Sequence, residues 1–322
     1  YVFIDGLTGM AWGLFSTLII GLIIEQLGKL IGGNVGNLIV VIGKIAASLT
    51  GAGIGVGVAV KYKETPFVTI SAAIAGLIGA FASKILQGSV LVDGTIILNG
   101  PGEPLGAFIA SFIGIICGRW IQGKTKLDII LVPIFTIMIG GAVGLLVGPP
   151  ISNFMLALGE LINWAVDKQP VIMGILVSVL MGMILTLPIS SAALAIILNL
   201  SGLAGGAATV GCCANMVGFA VASFKENGIS GLISQGLGTS MLQVPNIMKK
   251  PIIWLPAIIA SAILGPISTV VLHMTNNASG AGMGTAGLVG QLMTWQDMSE
   301  SENGVVLIIK MPKNTKKVES KN

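Results

Sequence analysis

The chemistry of this chain has to come from few residues. Charged side chains make up 9% of its 322 residues, and it has a single histidine. The most unusual polar segment is Asn99-Gly-Pro-Gly-Glu103-Pro104. Its two glycines and two prolines prevent a continuing helix, yet apolar sequence flanks it closely on both sides. Non-helical backbone at membrane depth is tolerated only where it is buried in protein or lines a cavity. A carboxylate there needs hydrogen-bond donors, and the hydroxyls of a sugar or polyol supply them. On that reading Glu103 and Asn99 are solute ligands. The plainer alternative is an exposed loop with a solvated Glu103.

A second cluster begins at His273 and continues through Thr275, Asn276, Asn277 and Ser279 into a Gly-rich run. Amides and hydroxyls beside pliable backbone suit a substrate loop opposite Glu103. They equally suit a helix-ending loop with histidine at a favourable C-terminal position. Lys44 stands between Val41-Ile-Gly and Ile45-Ala-Ala with no acid beside it. A charge inside an apolar run is costly and usually faces a cavity or a partner, so Lys44 is expected to line the pathway or to pair with a carboxylate there. Glu25 and Lys29 form an i,i+4 pair and read as structural. Pro188 in Leu185-Thr-Leu-Pro-Ile-Ser-Ser191 breaks a helix, either as a plain kink or to turn freed carbonyls, Ser190 and Ser191 toward a solute.

Other chemistries find no support. Cys117, Cys212 and Cys213 lie in apolar stretches without metal spacing and read as packing residues. The lone histidine has no acid near it in sequence to build a hydrolytic triad. The run from Gly51 to Gly57 follows no strand and has no acidic partner downstream, so it is a poor phosphate loop. No cofactor or metal is expected. The chain is not read as an enzyme, and the net charge of +4 does not suggest nucleic acid.

The elements that position these residues are membrane helices. Apolar residues reach 54% of the chain, where a soluble domain carries about 25% charged residues. Runs near 9–24, 34–60, 66–86, 105–121, 127–150, 171–187, 203–223 and 251–274 are long enough to cross a hydrocarbon core. Weaker stretches at 189–200 and 229–248 suggest half-helices or re-entrant hairpins. The expectation is an all-α polytopic membrane protein of about 8–10 transmembrane helices with re-entrant or broken helices and an internal repeat. Glycines four apart, such as Gly140, Gly144 and Gly148, form stripes along which helices approach closely in lipid.

Residues 151–168 carry Ile151, Phe154, Met155, Leu158, Leu161, Ile162 and Ala165 on one helical face, which suits an amphipathic helix on the membrane surface. Around it the halves look related: Gly13–Ile23 aligns with Gly174–Ile184, and Gly57–Val60 with Gly218–Val221 at the same spacing. The organisation read from this is a first repeat at 1–150, the linker helix at 151–168, a second repeat at 169–297 and a polar cytoplasmic tail at 298–322. Lys61, Lys63, Arg119, Lys124 and Lys126 fall in two loops expected to share the cytoplasmic side. The chain opens on Tyr1 rather than Met, so its native N-terminus is expected to lie upstream.

The N-x-x-x-E-P pattern of Asn99–Pro104 resembles the Asn/Gly–Glu–Pro motif of the enzyme IIC subunits of the bacterial sugar phosphotransferase system. With Asp5–Ser16 and Gly280–Gly290, the whole chain is similar to the type 2 enzyme IIC group, which includes perfringolysin-regulator-like membrane proteins. The resemblance implies a multi-pass protein of the bacterial inner membrane that moves a sugar or polyol, its solute held by Glu103 and by a histidine, for which His273 is the candidate. It implies a homodimer in membrane lipid and a separate phosphorylated IIB partner that carries the phosphoryl chemistry. Two rival expectations stand beside it: a membrane-embedded ligand sensor without transport, and an ion-coupled carrier of a small organic anion built on Lys44.

Overall fold

The computed structural model describes residues 2–92, 94–98 and 100–300. Asn99 and the tail beyond residue 300 lie outside the described residues. The fold is all-α, with one two-stranded hairpin among the described residues. Each expected span is present as helix. Helix α1 (Val2–Leu14) runs through a π-helical stretch into α2 (Ile20–Ile31), and Asp5–Ile31 is apolar enough to cross a membrane as one unit. Helices α3 (Gly33–Ser48) and α4 (Thr50–Lys61) form a pair bent by 54°. Helix α5 (Pro66–Ala80) is followed by the short α6 (Ala82–Leu86), then by strands β1 (Leu91–Val92) and β2 (Thr95–Ile96) in an antiparallel hairpin. Helices α7 (Pro104–Ile121) and α8 (Asp128–Val166) complete the first half.

The second half holds α9 (Pro170–Thr186), the short α10 (Ser191–Ile197) and α11 (Gly202–Ala222). Helix α12 (Phe224–Ile233) and α13 (Val244–Lys249) are separated by π and 3-10 turns, and α14 (Leu255–Pro266) follows. Helices α15 (Ala278–Ala281) and α16 (Val289–Glu300) end the described chain. Among the described residues five helices are long and apolar enough to span a bilayer, or six with the bent pair, and the 15-residue α5 and 17-residue α9 are shorter apolar helices. The weaker stretches foreseen near 189–200 and 229–248 are short, broken helices.

Glycine explains how these helices meet. Lipid tails are as apolar as leucine, so association in a membrane relies on close packing. The run from Gly51 to Gly57 is helical, and its glycines divide between two faces. Gly51 and Gly55 meet the backbone of α5 at Gly76 and Ala72, while Gly53 and Gly57 meet α1 at Gly13 and Gly9. The run is therefore a two-sided packing element. The α2–α3 hairpin is closed the same way, Gly21 against Gly43 and Gly28 against Gly36.

Two buried clusters form the core. One gathers α1, α4, α5 and α7 and takes in Met241 and Val244 from the second half. The other gathers α9 and α11 with Ile151, Met155, Ile162 and Ala165 of α8. The amphipathic segment expected as a separate linker is thus continuous with the span before it. Pro149 and Pro150 lie inside the helix, and membrane helices tolerate the lost backbone bonds when neighbours re-satisfy the freed groups. At about 1.5 Å per residue, a 39-residue helix is nearly twice as long as the roughly 30 Å hydrocarbon core. Phe154 and Leu161, from the same apolar stripe, are exposed on the chain.

The two basic loops lie side by side. Arg119 pairs with Glu64, its Nε donating at 2.8 Å, and Thr65 donates to Gln122 at 2.9 Å. Lys61 reaches Asp5 at 3.9 Å and stands over the Trp12 ring. These contacts gather the ends of α4 and α7 and the starts of α1 and α5 at one end of the bundle.

Candidate solute site

Glu103 is placed by the end of α5 and the start of α7. Its backbone N–H donates to the Ala80 carbonyl at 2.8 Å, tying the loop to the last turn of α5. Gly102 precedes it with φ +73°, and a Cβ there would fall 2.7 Å from that of Ala80. Only glycine fits both the conformation and the space. Pro104 then opens α7 at a position where its missing N–H costs nothing. The carboxylate is carried inward, and its Oε1 accepts from the Ser190 N–H at 3.2 Å.

That N–H belongs to the other half. Helix α9 ends at Thr186, and Pro188 interrupts the chain before α10 starts at Ser191. The segment between makes only short-range bonds, Ile189 N–H to Leu187 and Ser191 N–H to Ile189. The Ser191 hydroxyl donates to the Gly282 carbonyl at 2.7 Å. The interruption is more than a kink, because two unwound segments, one from each half, meet through a carboxylate.

Beside this contact lies a cavity of about 570 Å³, within the range of ligand sites. Gly100, Pro101 and Pro104 line it on the Glu103 side, and Ile189, Ser190 and Ser191 on the α9–α10 side. Glu103 stands behind that wall. Leu14, Leu18 and Leu22 of the first span, with Glu25, and Val41, Lys44, Ile45 and Ser48 of α3 form the opposite sides. Thr239, Met241, Met283 and Ala286 close it.

Of the expected site residues, Lys44 lines the cavity, and Glu103 stands behind its wall, bonded to Ser190. Asn99 belongs to the same loop but lies outside the described residues. The His273 cluster sits elsewhere. Asn276 is fully buried, and its amide donates to Thr209 Oγ1 at 2.7 Å and to the Gly290 carbonyl at 3.2 Å. Its backbone bridges Gly202. Asn277 caps α15, accepting from Ser279 and Gly280 N–H. Asn276 fastens the Gly-rich loop to α11, and Asn277 closes its first turn. His273 is exposed, with φ +45°, and does not line the cavity.

Thr239 and Ser48 were not singled out by sequence, since neither stands out among apolar neighbours. Glu25 reads from sequence as the partner of Lys29, and that pair is present at 2.9 Å. It also lines the cavity. Among the described residues no cluster of His, Cys, Asp or Glu could hold a metal.

An all-α multi-pass bundle whose broken segments converge on an internal cavity defines the class of membrane transport components. The chain matches the family "Phosphotransferase system, EIIC" over residues 4–311, and it belongs to that family. Members are the membrane transport component of a sugar system, in which phosphoryl transfer occurs on other components. None of the curated proteins matches the chain.

Proposed function

We propose that the chain moves a sugar or polyol across the bacterial inner membrane by alternating access, with the cavity beside Glu103 as the solute site. One observation carries this reading: the Glu103 carboxylate reaches from the first half to the Ser190 N–H of the second at the cavity wall. A contact between unwound segments of two halves is the kind of place where transporters bind their solute. Movement of one half against the other opens the cavity to either side and breaks or remakes that bond. The end of the bundle bearing Lys61, Lys63, Arg119, Lys124 and Lys126 faces the cytoplasm in this scheme, where a IIB protein phosphorylates the emerging solute. Asn276 and Asn277 take a supporting role, and His273 has no role at the cavity.

The scheme needs two halves, and it does not need them to be copies. The aligned glycines differ in partners: Gly13 packs on α4 and Gly174 on α14, and Gly57 packs on Gly9 while Gly218 touches only Ala257. The internal repeat therefore rests on the order of sequence matches, and the homodimer on the family resemblance. The last part of α8, from Ile151 to Val166, joins the halves at the membrane surface in this scheme. A cysteine at the exposed Asn163 should react with a membrane-impermeant maleimide well above the parent chain. Protection of that site would place the segment in hydrocarbon.

Uptake tests the central claim. Vesicles holding the purified chain should equilibrate or accumulate a radiolabelled sugar or polyol that the protein binds. Binding without entry would replace the transporter with a sensor.

A further inference from the structure

The charges around the cavity are not balanced in kind. Glu25 is occupied by Lys29 at 2.9 Å. Lys44 lines the same cavity and makes no hydrogen bond or ion pair among the described residues. It is held there by its helix. Gly43 packs α3 against α2 so tightly that a Cβ would lie 2.5 Å from the Gly21 carbonyl and 2.6 Å from the Glu25 nitrogen. Beside it at the cavity Val41, Ile45 and Leu22 are apolar, and the lining carboxylate Glu25 is already paired with Lys29. Lys44 is exposed on the chain, and its ammonium, with three donors and no acceptor, is open to an anion that enters the cavity.

Acceptors line the cavity on the α9–α10 side and, one turn beyond Lys44, on α3 itself. The Ser191 hydroxyl spends its proton on the Gly282 carbonyl and that of Ser48 on Ile45. What each keeps for the cavity is acceptor lone pairs. The Glu103 carboxylate behind Pro104 and Ser190 also accepts. Such a wall calls for hydroxyl donors, and Lys44 calls for an anion. A neutral polyol satisfies the first need only, and a simple organic acid the second only.

The geometry points to a sugar acid as the solute, with its hydroxyls toward the Ser191–Glu103 wall and its carboxylate on Lys44. The inference rests on reading the cavity as the solute site. The apolar lining suits the C–H faces of the carbon skeleton.

The test is a thermal-shift and calorimetric titration of the detergent-purified full chain with matched probes: glucuronate against glucose, and gluconate against sorbitol. Acetate serves as the anion control. The acids should bind at least tenfold more tightly than their neutral partners, and acetate should not bind. Lys44→Gln should abolish that preference, and Lys44→Arg should keep most of it. Equal binding within each pair, a preference that survives Lys44→Gln, or a response matched by acetate would overturn the inference, as would no binding by any probe. Glucose or sorbitol binding that is lost in Glu103→Gln and unaffected in Lys44→Gln would leave the transport site standing while removing the sugar acid. Acid binding that needs Lys44 and ignores Glu103 would keep the inference and remove Glu103 from the site.

Discussion

Replacing Glu103 with glutamine should weaken solute binding by roughly 1.5–3 kcal/mol, the scale of a hydrogen bond to a charged group, which is about 10- to 150-fold in affinity. The substitution is chosen for what it preserves. Glutamine keeps the side-chain length and a carbonyl oxygen that can still accept from Ser190 N–H, the bond seen at 3.2 Å. The backbone bond from residue 103 to Ala80 is independent of the side chain. Folding should therefore be little changed, and the loss should appear in affinity. Uptake should fall in step with occupancy. Glu103→Ala should do more, because it also unfastens the α9–α10 segment. If Glu103→Gln binds a neutral polyol as tightly as the parent, the carboxylate is a structural tie between the halves and the solute sits elsewhere. Calorimetric titration and melting temperatures of both variants separate these outcomes, since a purely structural role predicts lost stability in Glu103→Ala with affinity unchanged in Glu103→Gln.

The fold was largely legible in the sequence because its signals are local. Apolar runs near span length, and prolines or glycines that interrupt them, set where each helix starts and stops. Pro66, Pro104 and Pro170 each open a helix, and Pro188 marks a true break. The site was legible only in part because it depends on contacts between distant segments. Glu103 and Ser190 are 87 positions apart, and nothing in the local pattern of either says that they meet. Asn276 illustrates the opposite error. Its polarity beside a Gly-rich loop suggests a ligand, yet the same polarity serves to satisfy Thr209 and Gly290 inside the fold. A buried amide must find partners in either case, so residue type alone does not separate the two. Lys44 was more telling because a charge in an apolar helix has few structural excuses. Helix α8 resisted for another reason: adjacent prolines usually end a helix in water, and in a packed membrane bundle they do not.

The glycine stripes make the sharpest stability forecast. Gly9 on α1 faces Gly57 on α4, and a Cβ at position 9 would fall 2.5 Å from the Gly57 carbonyl oxygen and 2.7 Å from the Val58 Cα. Both obstacles are backbone, so no side chain can rotate away. Gly9→Ala must push α1 and α4 apart or bend one of them. That should cost on the order of 1–3 kcal/mol, despite alanine's better helix propensity. Gly218 is the control within the same chain. It is also in a helix, but a Cβ there meets its nearest neighbour, Ala257, at 3.6 Å, an ordinary contact. Gly218→Ala should be neutral or stabilising by up to about 1 kcal/mol. Melting temperatures of the two variants should therefore move in opposite directions, or one should fall while the other holds. The contrast matters for transport as well. Leu14 and Leu18 of the first span line the cavity, and displacement of α1 would shift that wall. Gly9→Ala is thus expected to lose solute affinity along with stability. Equal, small effects at both positions would mean that α1 and α4 are not packed backbone to backbone, and the close-approach account of the glycine-rich run would fall with it.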